Sequence, residues 1–358
     1  MNILITAPSL NEADNVSGIS TIVRTIIGFR GAAVNFQHFR IGNKDGLSKG
    51  FRWALDQATL LPRMARFIRK NNIEAIHLNT DFTKPSLLRD FMILSFIKLV
   101  VRKPVLLHVH GGYMLMSPPK KNSIYWLIIK RLLKKSDINV ILTRAEQEQL
   151  LSSFGAESRV LPNAVASLES NPSVKNFDRE IKFFFLGKIV KTKGIFLIAE
   201  ALKQLSEYHH TCSFTLYGAG PDLPALLQEL EAIKTLKFDF KGVVFGAEKW
   251  KAIDNANVFL LPSYSEGLPI AMLEAMQFGC IPVVTDEPSI MAVVKNSVNG
   301  FIIKKYSSDA LAAAMKNILT DRKNLKQVSE AAERTVAENY SISKYMETLL
   351  SYYASLSN

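Results

Sequence analysis

Short apolar, β-branched runs alternate with longer stretches of helical periodicity along the whole chain, and this rhythm runs twice with one interruption. Such an alternation folds as strand-helix-strand units, which means parallel sheets flanked by helices. In the first half the expected strands are Asn2–Ala7, Val34–Phe39, Ile73–Leu78, Val105–His110, Ile138–Leu142 and Arg159–Leu161. Between Asn163 and Glu180 the periodicity is lost and Asn, Ser and Pro take over, the composition of a connector. The rhythm resumes with Ile181–Leu186, Ser213–Tyr217, Phe238–Phe240, Val258–Leu261, Ile281–Val284 and Gly300–Ile303, and is almost wholly helical after Ser307. The prediction is an α/β chain with domains over 1–165 and 181–340 and a linker over 166–180. Its 358 residues suit two domains at roughly 150 residues each. Paired sheets of this type bind ligands at the carboxyl ends of their strands, so a cleft between the domains is the expected active site.

With 48% hydrophobic and 21% charged residues, disordered, collagen-like and low-complexity classes are excluded. No short-period repeat is present, which removes solenoids and propellers. Cys212 and Cys280 are too few for a disulfide framework or a four-thiolate metal site, and both lie in apolar stretches. They read as reduced core thiols of a cytoplasmic protein. Met1–Ala7 reads as a strand with no basic leader or cleavage site after it, so no signal peptide is expected. The longest apolar run, Phe91–Val101, is broken by Lys98 and falls short of the ~20 residues that span a bilayer.

The net charge of +12 is unevenly placed: residues 1–175 hold 24 Lys and Arg against 12 Asp and Glu, and residues 176–358 hold 20 of each. Three segments concentrate it among large apolar residues, Phe51–Lys70, Arg89–Lys103 and Lys120–Lys135, and each reads as a basic amphipathic helix. Such faces suit either solvent or an anionic surface, and three in one domain point to docking on the inner leaflet of a membrane. Nucleic acid is not an expected partner, since there is no zinc-finger spacing, ribonucleoprotein motif or arginine-rich arm.

The stretch Asn257–Asp286, NVFLLPSYSEGLPIAMLEAMQFGCIPVVTD, carries the most chemistry. A buried strand runs into a Pro-Ser turn and Glu266-Gly267-Leu268-Pro269, and a helix starts near Pro269, whose fixed φ and missing N–H suit a first turn. Free amides from Gly267, Leu268 and Ile270 onward and the positive end of the helix dipole make an anion site. Glu274, in the second turn among apolar neighbours, is costly to bury alone. It either forms an internal ion pair or accepts hydrogen bonds from two adjacent hydroxyls, as a ribose diol presents them. Glu266 is either an exposed loop residue or reaches past bound phosphates toward a sugar.

This pattern resembles the E-x7-E signature of retaining glycosyltransferase family 4, the group 1 glycosyl transferases of the GT-B fold. The resemblance implies two Rossmann-like parallel-sheet domains facing a central cleft, with Glu266 on the donor sugar and Glu274 on the nucleotide ribose. It extends to Phe185-Leu186-Gly187-Lys188 and Lys193-Gly194, which look like the family's phosphate-binding segment, although the family usually has arginine where Lys188 stands. Tyr217-Gly218-Ala219-Gly220-Pro221 is similar to its glycine turn beside the nucleotide; the third glycine of a dinucleotide fingerprint is missing. Val16-Ser17-Gly18-Ile19 resembles the glycine loop near the donor phosphate, with Ser17 a candidate N-cap and close approach secured only at Gly18. In His108-Val109-His110-Gly111-Gly112, His110 matches the histidine that reaches the donor sugar, and His108 reads as a core histidine. Pro162-Asn163-Ala164-Val165-Ala166 looks like the family's hinge. The final helix, 341–358, is expected to return to the first domain, as in related folds.

By this resemblance the chain is a retaining, metal-independent glycosyltransferase with no cofactor. It uses a UDP- or GDP-sugar donor and a glycan acceptor, lipid-linked in capsule, O-antigen or exopolysaccharide synthesis. The implied catalytic residues are His110, Glu266 and Lys193. The implied donor-binding residues are Gly18, Lys188, Lys193, Gly218, Glu266, Gly267, Leu268, Pro269, Ile270 and Glu274. A nucleotide-sugar epimerase or phosphorylase on the same fold, and a non-catalytic binding protein, stay open as alternatives.

Overall fold

Strands that are apolar throughout need cover on both faces, and they occupy the middle of two sheets. The computed structural model describes residues 1–12, 15, 17–31, 34–42, 59–168 and 171–356. The chain divides into two units, Met1–Asn163 with Ile342–Asn358, and Ala164–Ser341.

In the first unit the strands are β1 (Asn2–Ala7), β2 (Asn35–Arg40), β3 (Ala75–Thr80), β4 (Val105–Val109), β5 (Ile138–Ile141) and β6 (Arg159–Val160). They pair in parallel in the order β2-β1-β3-β4-β5-β6. Every residue of β3 and β4 is buried, whereas the edge strand β2 is mostly half-exposed. One apolar cluster joins these strands to the helices Leu60–Lys70, Lys84–Phe96 and Ile124–Lys135. Each fully buried Leu, Ile or Phe in it contributes roughly 1.5–3 kcal/mol.

The second unit holds β7 (Ile181–Leu186), β8 (Cys212–Tyr217), β9 (Lys237–Gly242), β10 (Val258–Leu261), β11 (Ile281–Thr285) and β12 (Phe301–Ile303). These are also all parallel, in the order β12-β11-β10-β7-β8-β9. The order reverses direction between β7 and β10, and in the first sheet between β1 and β3. At such a switch point the loops leaving two adjacent strands diverge to opposite faces and open a crevice at their carboxyl ends. Cys212 and Cys280 are both buried free thiols, and burial pushes each up to about 11.

The basic segments differ from three regular helices. Residues 51–58 of the first lie outside the described residues, and its remainder forms the helix Leu60–Lys70. In the second, the helix Lys84–Phe96 widens into a π-helical turn, Ile97–Val101, and ends at Arg102 in a left-handed conformation (φ 58°). Arg102 and Lys103 therefore lie beyond the helix. In the third, the helix starts only at Ile124, where Ser123 accepts a hydrogen bond from the amide of Trp126.

The Asn- and Ser-rich stretch after residue 170 is fastened to the second unit. Lys175 Nζ donates to the carbonyls of Ile253 (3.1 Å) and Asp254 (2.6 Å), and Ser173 Oγ to the Asp254 carboxylate at 2.6 Å. The helix Ile342–Ala354 belongs to the first unit. It buries Tyr345, Leu349 and Tyr353 there, and Tyr352 Oη donates to the Val160 carbonyl at 2.9 Å.

Candidate functional site

The switch point of the second sheet gathers the charged residues. After β7 the chain makes a 3-10 turn, Lys191–Lys193, and turns at Gly194 (φ 72°) into the helix Ile195–Gln204. A Cβ on Gly194 would fall 2.0 Å from the carbonyl oxygen of Pro262, so here the two switch-point loops touch backbone to backbone. The amide of Tyr264 donates to the Thr192 carbonyl at 2.9 Å, fixing that register. Lys193 Nζ is thereby brought within 2.5 Å of Glu266 Oε1, which also accepts from Ser263 Oγ at 2.7 Å. Ser263 and Glu266 are anchored in turn, since Thr285 Oγ1 donates to the Ser263 carbonyl and Ser289 Oγ to the Glu266 carbonyl. The Glu266 side chain is only 10% exposed, unlike an ordinary loop glutamate.

The helix that follows spans Ile270–Gln277, one residue later than the sequence suggests: Pro269 is its extended N-cap, not its first helical residue. Having no N–H, Pro269 adds no donor there; the free amides begin at Ile270. Gly267 and Leu268 lead into this end, with Leu268 buried. Glu274 is 6% exposed, and its Oε1 lies 2.6 Å from Lys249 Nζ on the helix Gly246–Asp254. Of the two sequence readings, the internal ion pair is therefore present. Lys249 also stacks over the Trp250 ring at 4.1 Å from its centroid, which restrains the ammonium group. Glu266 and Glu274, eight residues apart, thus hold two different lysines.

Gly218 (φ 133°) and Gly220 have a packing reason of their own. A Cβ would lie 1.9 Å from the Gly187 carbonyl oxygen at the first and 2.0 Å from that of Ile189 at the second. The loop after β8 is laid on the loop after β7, with the Ile189 amide donating to the Ala219 carbonyl at 2.9 Å. Lys188 is exposed on that loop.

Gly18 and His110 belong to the first unit. Val16 lies outside the described residues. Ser17 Oγ accepts from the Ser20 amide and caps the helix Gly18–Gly28, of which Gly18 is the first residue. β4 ends at Val109, which leaves His110 on the loop at the strand's carboxyl end. Its Nε2 is 2.7 Å from Asn79 Oδ1 at the end of β3, and its ring packs on that of His108 at 4.1 Å between centroids. Burial holds His110 down to about 3, against a smaller opposing hydrogen bond with Asn163. His108 is fully buried, with Nδ1 3.2 Å from His77 Nε2, and His77 Nδ1 lies 2.6 Å from Tyr353 Oη. His108 is thus a core histidine. Burial lowers both, His77 to about 3.

Three contributors escape the sequence reading: Asn79, Ser263 and Lys249. The first has a legible signal, a polar side chain at the carboxyl end of a buried strand. Ser263 opens the loop after β10 in the same way. Lys249 has none, because its partner is 25 residues away on another helix.

A lysine, a serine and a glutamate meeting beside a helix N-terminus at a switch point suit an anionic ligand carrying hydroxyl groups. The family model described as glycosyl transferases group 1 matches residues 168–335, which contain all of these groups. The stretch 168–335 is thus similar to the group 1 glycosyl transferases. Similarity extends beyond it: the O-antigen biosynthesis glycosyltransferase WbnH of Escherichia coli is 21% identical over 302 residues, 84% of this chain and 83% of that protein. An uncharacterized glycosyltransferase of Methanocaldococcus jannaschii, MJ1607, is 29% identical over 166 residues, 46% of this chain and 42% of that protein. The chain spans less than half the length of the first curated relatives it matches. Among solved structures, Anabaena HepE in complex with UDP-glucose superposes with a TM-score of 0.74 at 15% identity, covering 99% of this chain and 100% of that one. The chain has the GT-B fold, and the stretch that matches the family model is built on the second sheet.

Proposed function

We propose that the protein is a retaining, metal-independent glycosyltransferase that moves a sugar from a UDP- or GDP-sugar to a glycan acceptor, carried on a lipid in polysaccharide synthesis. The observation that carries this reading is the junction of Lys193, Glu266 and Ser263 beside the free amides of the helix Ile270–Gln277. A donor diphosphate would take Lys193 from Glu266 and lie against those amides, with Lys188 adding charge at the rim. Positive groups fixed in place before reaction stabilise the charge that grows on the leaving group. Glu266, released from the lysine, would accept from a donor-sugar hydroxyl, and Glu274 would offer its second oxygen to the ribose. Gly218 would border the base. As the bond from the anomeric carbon to the diphosphate breaks, the acceptor oxygen bonds to that carbon on the same face. Its proton passes to a donor phosphate oxygen. The UDP-glucose complex of HepE and the O-antigen assignment of WbnH support the donor and pathway classes.

The test is calorimetric titration of UDP, GDP and their common sugar conjugates into wild type, Lys193→Ala and Glu274→Ala. Selective binding of one nucleotide, weakened by both substitutions, is expected; a folded wild type that binds none would remove the reading. Proton NMR of the product linkage then reads the anomeric configuration, which must match that of the donor.

A further inference from the structure

We propose that the outer face of the helices Lys84–Phe96 and Ile124–Lys135 is a docking surface for an anionic lipid bilayer. This gives the lipid-linked acceptor reading a physical partner.

Between residues 84 and 135 the chain carries eleven Lys and Arg and one carboxylate, Asp90. That carboxylate is fully buried and bonded by Arg89 at 2.7 and 3.0 Å, so it offers nothing to the surface. Of the other cations, Lys98 is bridged to Asp137 and Lys135 donates to Ser95. Among the described residues, no salt bridge engages Arg102, Lys130, Arg131 or Lys134, and all four are exposed.

The two helices lie side by side and run in the same direction. Near their starts Lys84 sits over the Tyr125 ring, and toward their ends Lys135 sits over the Phe91 ring. Leu87, Ile93, Leu94 and Ile97 of one, and Ile129 and Leu132 of the other, face inward into one apolar cluster. On the outward side Leu88 and Met92 are about half exposed, and the π-helical turn continues the row with Leu99 at 70% and Val100 at 62%. Single exposed apolar residues are ordinary. Four on one helix and its π-helical turn, beside a helix that carries four cations and no acidic residue, match the interfacial pattern in which apolar side chains enter the acyl boundary and cations meet headgroup phosphates. A nucleic acid would use the charge and leave Leu99 and Val100 in water. No helix among the described residues is long and apolar enough to cross a membrane.

The experiment is co-sedimentation of the full chain with vesicles of phosphatidylcholine, alone or mixed with phosphatidylglycerol. Two paired variants, Lys130→Glu with Lys134→Glu and Met92→Ser with Leu99→Ser, are compared with a charge-matched control in the second unit, Lys323→Glu with Lys326→Glu. Circular dichroism confirms each fold. The expected result is sedimentation with the anionic vesicles only, reduced by salt, roughly tenfold weaker in both first-unit pairs and unchanged in the control. Equal sedimentation with both vesicle types, equal loss in the control, or a Met92→Ser/Leu99→Ser pair that binds like wild type would overturn it, the last by marking a surface for soluble polyanions. No donor or acceptor is present in this assay, so its failure leaves the transferase reading standing, and loss of nucleotide binding leaves the docking face standing.

Discussion

His110 donates from Nε2 to Asn79 Oδ1 at 2.7 Å, and the direction of this bond is fixed by a third residue. Asn79 Nδ2 lies 2.7 Å from the Thr6 carbonyl, which can only accept, so the amide oxygen must face the imidazole. The bond therefore keeps a proton on Nε2, and burial, which holds the pKa down to about 3, keeps the ring neutral. Replacing Asn79 with Asp would put a carboxylate against Nε2 and raise the His110 pKa from about 3. Histidine NMR titration is expected to show the wild-type ring neutral down to at least pH ~5, and Asn79→Asp should bring its titration, and an acid limb of kcat/KM, toward neutrality.

Acid sensitivity follows from the same cluster. His77 is fully buried and held at about 3, and His108 well below its ordinary value, each by burial first. Unfolded, both would bind a proton near pH ~6.5. As pH falls below that value the unfolded state takes up protons that the native state refuses, so stability drops until the native pKa is reached. The slope is up to about 1.4 kcal/mol per pH unit for each histidine. Urea midpoints measured from pH ~7 to ~4 should fall steadily, and less steeply in His77→Gln.

Backbone contact between the switch-point loops makes Gly194 irreplaceable. Its φ of 72° and the 2.0 Å approach of a Cβ to the Pro262 carbonyl predict that Gly194→Ala destabilises by more than about 2 kcal/mol and displaces Lys193. Gly28→Ala, where a Cβ meets nothing within 4 Å, should change the thermal midpoint little. A small shift for Gly194→Ala would mean that the loops do not touch as described.

Lys249 and Glu274 side chains are 12% and 7% exposed and 2.6 Å apart. Truncating one partner leaves the other charge buried alone, at a cost of about 3 kcal/mol. Lys249→Met should lose roughly that much in denaturant unfolding, and adding Glu274→Gln should restore a large part of it. Additive losses in the double-mutant cycle would count against the pair.

The strands of both sheets are legible from local pattern to within a residue or two, because alternating apolar runs and turn residues act over a few neighbours. The same locality made the loop after β10, with Glu266, visible as a candidate, whereas Lys193 on the loop after β7 was found through the family resemblance. Pro269 was misread by one position because a proline with β-region φ and ψ and a proline in a first helical turn leave the same local signature.

What the sequence by itself determined was the class of the chain, two parallel α/β sheets, and the loops on which chemistry would sit. Only the tertiary structure decided which side chains meet. Lys193 reaches Glu266 across 73 residues, and His77 reaches Tyr353 across 276. Those meetings depend on strand order, which places β7 beside β10, and on the return of the last helix to the first unit. Strand order is settled by the packing of whole layers and not by any local propensity, so no window of sequence encodes it.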